Sequence, residues 1–311
     1  MDREVSVSLA LGSGGARGYA HIGVIEELVR RGYHIKAIAG SSMGALVGGM
    51  YAAGALEPYR DWVSGLKRID ILRLMDVTFS RGAIRGDRVF AKLRELAGDP
   101  DIESLPLSFT AVATDLSHQK EVWFQKGSLM SAIRASAAVP GFFTPVVTDN
   151  RVLVDGGVLN PLPIIPTVAA HADIIVAVDL NTSRYRLPVV DMPQNAFLDC
   201  SGYSDDSAAR AEDLAAANGA APNGAAANGA GEKERFGGRL DILLSSVEVM
   251  QSSLSEYKIA GYPPDLNITI PKEVCSFYEF HRAAELIEIG RLIARERLAA
   301  MEQGRLALPP G

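Results

Sequence analysis

Two short apolar runs near the start of the chain each break into small residues and then into a helix-patterned segment. This repeat constrains the fold more than any other feature of the sequence. Residues 5–11 read as a strand, followed by GSGGARG, which holds Gly12, Gly14, Gly15 and Gly18. Residues 19–31 then set Ile22, Ile25, Leu28 and Val29 on one helical face, and Gly32 ends that helix. Residues 35–39 form a second strand, which runs into AGSSMGAL and a second helix over 43–53, stopped at Gly54. A strand–helix–strand–helix order demands a parallel sheet with helices on its faces, so the fold class is α/β. Further strands are expected at 109–113, 121–124, 151–154 and 174–180. The last, IIVAVDL, is apolar almost throughout, as a strand buried on both faces must be.

The second half adds helices over 240–259 and 276–301 and a strand within PPDLNITI, 263–270. Between them lies AAANGAAPNGAAANGAG, flanked by Ser, Asp and Glu. It cannot bury an apolar face, so a disordered insertion at about 201–235 is expected to interrupt one domain spanning 1–311. A chain of 311 residues that is 48% hydrophobic has ample material for such a core. Net charge is −6 with no basic run, so nucleic acid is not an expected partner. Cys200 and Cys275 form neither a metal spacing nor a disulfide framework, which suits a reducing cytosol. Asp2 and Glu4 stand where a signal peptide would carry positive charge. The uncharged run 37–56 has the length of a membrane span and the spacing Gly44-x-x-x-Gly48. Its five glycines and two serines make it only weakly hydrophobic, and close helix packing in a core is the expectation.

Gly40-x-Ser42-x-Gly44 has the spacing of a nucleophile elbow, with small neighbours for a sharp strand-to-helix turn. The helix behind it aims its positive end at Ser42. GSGGARG exposes backbone N–H groups to something negative. It lacks the Walker pattern, and as a dinucleotide fingerprint its third glycine comes one place late, at Gly18. The other reading is an oxyanion hole built from the N–H groups of Gly14, Gly15 and Ala16. In a parallel sheet both loops follow strand carboxyl ends and share one edge. For the base, His171 and His281 satisfy the order of a Ser–Asp–His triad. Asp155, directly after a strand and before Gly156 and Gly157, is the other candidate. An Asp-Gly hairpin turn is its bland reading, which the continuation NPLPIIP argues against.

At GSGGARG, GSSMG, DGG and RASAAVPGFFTPV (134–146), the sequence resembles patatin-like phospholipases, most of all the bacterial branch related to neuropathy target esterase. The resemblance implies a three-layer α/β/α patatin-like sandwich with a mainly parallel central sheet. It implies Ser42 as nucleophile, Asp155 as its base, and Gly14, Gly15, Ala16 and Arg17 as the oxyanion loop. Ser13 holds a place where the family often has aspartate. The implied activity is hydrolysis of a phospholipid, lysophospholipid or other fatty-acyl ester through an acyl-enzyme, with no metal and no other cofactor. A cytoplasmic protein touching the inner membrane face peripherally is the matching expectation. Val139, Pro140, Phe142 and Phe143 are candidates to line an acyl pocket and could equally be core. Residues 59–75 read as a lid or membrane-touching helix, or as packing with a basic outer face. A Ser–His–Asp hydrolase or acyltransferase, and a nucleotide-binding or regulatory module, are the alternative readings.

Overall fold

The computed structural model describes residues 5–74, 77–78, 83–148, 150–182 and 239–304. The stretch 201–235 lies outside them. In chain order the elements are β1 (Ser6–Leu11), α1 (Ala20–Arg30), β2 (His34–Ser41), α2 (Met43–Ala52), α3 (Leu56–Ser64) and α4 (Arg68–Leu74). A small hairpin, β3 (Val77–Thr78) and β4 (Ala83–Ile84), precedes α5 (Asp87–Ala97), β5 (Ser108–Asp115), β6 (Lys120–Phe124) and α6 (Leu129–Ser136). Then come β7 (Val146–Thr148), β8 (Arg151–Asp155), α7 (Ile165–Val168), β9 (Ile174–Asp179), α8 (Arg239–Gly261), β10 (Leu266–Thr269) and α9 (Ala283–Glu302). Two compact units divide the chain, 1–185 with 244–311, and 186–243. Of the second, only 239–243 are described, and they are the start of α8.

The main sheet runs β10-β9-β1-β2-β5-β8-β7, with β6 also beside β5. Pairing is parallel from β10 through β5 and antiparallel for β6, β7 and β8. Side chains alternate across β1, so its two faces meet different partners. Leu11 packs towards Gly48 of α2. Ala10 joins Leu162, Ile164 and Ala177 in a core cluster that Ile259 of α8 covers. Helices thus lie on both faces of a mixed, mainly parallel sheet. α1 and α9 pack so closely that a Cβ on Gly23 would strike the Ile287 carbonyl, and one on Gly290 the Ala20 carbonyl.

One arrangement positions the site. β2 and β8 share the same edge of β5 end to end: Ser41 pairs with Val112 and Asp155 with Ala113. The other edge of that stretch is taken by β6, through Trp123 and Val122. β2 runs parallel to β5 and β8 antiparallel, so their carboxyl ends meet there.

Two expectations change, at 276–301 and 59–75, while the run 37–56 packs in the core as expected. The helix expected over 276–301 starts only at Ala283. Before it, Phe277 is drawn onto the glycine loop, its carbonyl accepting from Ala16 N at 3.0 Å, and Ser276 N bonds Glu279 Oε2 at 2.8 Å. The run 37–56 forms the end of β2, all of α2 and the start of α3, almost wholly buried, and no described helix is long and apolar enough to cross a membrane. Residues 59–74 split into parts of two helices, with Tyr59, Val63 and Ile71 buried while Ile69 and Leu72 face outward.

Candidate active site

Ser42 stands between β2 and α2 at φ 55, ψ −122. The turn is hooked to β5, since Ser42 N donates to Ser136 Oγ at 3.0 Å and that hydroxyl donates to Val112 O at 2.6 Å. The flanking glycines are steric requirements. A Cβ on Gly40 would overlap the Gly44–Ala45 backbone, and one on Gly44 would strike the Leu11 carbonyl. Only that clearance lets the α2 N-terminus close over the end of β1.

Asp155 ends β8, its N–H donating to Ala138 O at 2.9 Å. Oδ1 accepts from Gly157 N at 2.6 Å, while Oδ2 is buried with no partner at ordinary hydrogen-bond geometry. Burial pushes the carboxyl up to about 6, against a smaller lowering by the nearby Ser42 hydroxyl and by Gly157 N–H. Gly156 and Gly157 are also packing glycines: a Cβ on Gly156 would strike Val112 O, and one on Gly157 would lie 2.7 Å from Ser13 Oγ.

The glycine loop is tied down at most of its amides. Gly12 N bonds Val178 O at 3.0 Å, Ser13 N bonds Pro161 O at 2.8 Å, and Ala16 N bonds Phe277 O. Ala16 is therefore not an open donor as expected, because its N–H is already spent. Among the described residues, the N–H groups of Gly14 and Gly15 have no partner. Gly15 holds φ +56, which glycine adopts readily. Arg17 is also not where the oxyanion reading puts it. Its buried side chain turns away, pairing Nη2 with Glu248 Oε1 at 2.7 Å and reaching the Lys272 and Cys275 carbonyls at 3.4 Å. It clamps the loop to α8 and to the segment before α9. Gly12 and Gly18 serve packing, against Val178 O and the Met43 side chain. One contributor escaped the sequence reading. His21, fully buried, bonds Gly12 O through Nε2 at 2.8 Å. A carbonyl only accepts, so Nε2 carries the proton, and burial pushes the imidazole down to about 4 and keeps it neutral.

Ser42 borders two cavities. The larger is partly open to solvent and reaches Gly15, Leu46, Trp62, Phe90 and Phe280. The smaller, with room for about one water, also reaches Asp155, Ser13, Gly14, Glu248 and Gln251. The four expected acyl-pocket residues divide between them: Phe142 and Phe143 line the large cavity, Val139 and Pro140 the small one. Phe277 lines both. No histidine borders either cavity. His171 lies just before β9, at the sheet edge opposite Ser42, and His281 accepts from Arg68 Nε at 3.2 Å. No group of three or more His, Cys, Asp or Glu among the described residues could hold a metal.

Residues 9–168 match the family profile described as patatin-like phospholipase. An uncharacterized NTE family protein of Mycobacterium tuberculosis is 42% identical over 332 residues, covering 95% of this chain and 92% of the relative. A lysophospholipase of Emericella nidulans is 29% identical over 186 residues, 57% of this chain and 12% of that protein. The crystal structure of VipD from Legionella pneumophila aligns with TM-score 0.52 and 14% identity, over 96% of this chain and 67% of that one, a likeness of fold.

Proposed function

The chain belongs to the patatin-like phospholipase family, and from that premise we propose that it is a serine acyl-ester hydrolase of lipids in which Ser42 and Asp155 act as a dyad. The observation that carries this reading is the meeting of two strand ends along β5. It brings a strained serine beside a buried carboxylate whose pKa is raised to about 6. A carboxylate near its ordinary pKa is a poor base for a hydroxyl, and one raised by burial accepts the proton better. Asp155 takes the proton as Ser42 Oγ attacks the acyl carbon. The N–H groups of Gly14 and Gly15 receive the oxyanion, in a loop whose other bonds are already made. The departing alkoxide takes the proton from Asp155 and leaves an acyl-enzyme. Water then attacks, gives its proton to Asp155, and Ser42 recovers it as the fatty acid departs. The large cavity, walled by aromatic and aliphatic side chains, suits an acyl chain. The exposed Ile69 and Leu72 on α4, whose Ile71 borders that cavity, support a peripheral contact with a lipid surface.

The test is a fluorophosphonate probe with p-nitrophenyl butyrate turnover. Labelling at Ser42 is expected, lost in Ser42→Ala. Asp155→Asn falls about as far as Ser42→Ala, because the two act as one unit. His171→Ala and His281→Ala keep activity within a small factor. One histidine variant as inactive as Ser42→Ala turns the reading into a triad; a folded, fully active Asp155→Asn ends the dyad.

A further inference from the structure

We propose that the small space beside Asp155 is the seat of the hydrolytic water, held by Ser13 Oγ and Gln251 Nε2, and that it commits the acyl-enzyme to hydrolysis rather than to acyl transfer. The inference rests on the Ser42–Asp155 reading above and deepens it by naming the residues that position the second nucleophile.

The space lies among Ser13, Gly14, Ser42, Asp155 and Gln251 and has room for about one water. Polar atoms converge on it. The point where a Gly157 Cβ would sit lies 2.5 Å from Gln251 Nε2, 2.7 Å from Ser13 Oγ and 2.9 Å from Asp155 Oδ1. Both outer members are buried, Ser13 2% exposed and Gln251 6%. Yet among the described residues Ser13 Oγ has no hydrogen-bond partner, not even the Gln251 amide close by. A buried hydroxyl in that state is costly unless something small pairs with it. Water fits both the size and the chemistry, since it donates and accepts and is held by two to four polar partners. Gln251 Nε2 donates to it, and the rotatable Ser13 hydroxyl serves in either sense.

Asp155 decides when this water acts. Before acylation its carboxylate serves the Ser42 hydroxyl. In the acyl-enzyme Ser42 Oγ is an ester oxygen with no proton to give, and the departed alcohol has carried the first proton away. Asp155 is then a free base beside the water. The water oxygen bonds to the acyl carbon and its proton passes to Asp155. The Oγ–carbon bond then breaks, Oγ recovers that proton and the acid departs. A water already seated attacks without further ordering, whereas a larger alcohol finds no room there.

The experiment uses the full chain, p-nitrophenyl butyrate and methanol as the competing nucleophile. It reads the ratio of methyl butyrate to butyrate formed at one methanol concentration, with the Ser42→Ala background subtracted. Both products come from one acyl-enzyme, so a loss of folded protein or of acylation lowers both and leaves the ratio where it was. Ser13→Ala and Gln251→Leu are each expected to raise the ratio about three- to tenfold, the effect of one net hydrogen bond on the attacking water. An unmoved or lowered ratio in either variant overturns the water site. Thermal melting gives a reading that needs no turnover. Ser13→Ala is expected to melt no higher than the wild type, because the hydroxyl it deletes has the water as its partner. A clearly higher melting temperature, the gain from deleting an unpaired buried hydroxyl, also overturns the site. In either event continued ester hydrolysis and labelling of Ser42 would leave the dyad standing. Absence of labelling and of all ester turnover in the wild type is instead the failure of the hydrolase reading itself, and the water site falls with it.

Discussion

At Ser42 the backbone occupies φ 55, ψ −122, a region that costs a residue with a Cβ on the order of 1–3 kcal/mol. Glycine enters it readily. Ser42→Gly is therefore expected to melt above Ser42→Ala, by about 1 kcal/mol after glycine's extra unfolded-state entropy, with both variants inactive. Equal melting would mean that the elbow stores no strain. Asp155 carries a second cost. Its carboxyl is raised to about 6 in the folded chain, from 3.8 unperturbed, so the native state holds this proton more tightly than the unfolded chain does. The residue is thus neutral towards stability below about pH 4. It becomes destabilising as pH rises through 6, by up to about 3 kcal/mol for a shift of roughly two units. Asp155→Asn, which can keep the Oδ1 bond to Gly157, should raise the melting temperature at pH 8 and leave it unchanged at pH 4. In the wild type, kcat/KM should fall as pH drops through about 6, where the base becomes protonated. A profile flat from pH 5 to 8 argues against Asp155 as the base. Ser42 and Asp155 stand out in the sequence as candidates because a small-residue turn after an apolar strand has few uses, and both residues do sit at such turns. The pKa was not, since it depends on what buries the carboxyl.

At the scale of elements, two kinds of glycine separate. Gly23 lies where α1 crosses α9, and a Cβ there would strike the Ile287 carbonyl. Gly261, at the end of α8, would meet nothing within 4 Å. Gly23→Ala is expected to destabilise by about 1–3 kcal/mol through overpacking, and Gly261→Ala to change stability by less than about 0.5 kcal/mol. Chemical denaturation of the two variants reads both numbers; a neutral Gly23→Ala would mean the helices can part freely. The helical faces of α1 and α2 were readable from periodicity and flanking glycine. The segment 276–282 was not, because its apolar spacing fits a helix. Phe277 leaves the helical path to cover Gly15 and to bond Ala16 N, and a spacing rule sees no such long-range partner.

At the scale of the molecule, the match to the family profile ends at residue 168, while parts that hold the site come from later in the chain. β10 pairs with β9, Glu248 holds Arg17, Phe277 holds Ala16, and α9 packs on α1. A chain ended after residue 182 should therefore expose the β9 edge and the inner face of α1, aggregate on expression and hydrolyse no ester. A monomeric, active fragment would disprove that dependence. Replacing 201–235 with a short Gly-Ser linker, by contrast, is expected from its composition to leave melting and turnover nearly unchanged. The sequence by itself determined the α/β class, the sharp strand-to-helix turn at Ser42 and the order of the strands that precede each loop. These depend on local periodicity and on clearances that only glycine provides. Tertiary structure decided the rest. It placed β2 and β8 end to end on β5, left Gly14 and Gly15 as the open amides, turned the buried Arg17 towards Glu248, and set Phe277 between two cavities. Each of those outcomes depends on which distant group reaches a given N–H, carbonyl or apolar gap first, and no window of neighbouring residues contains that information.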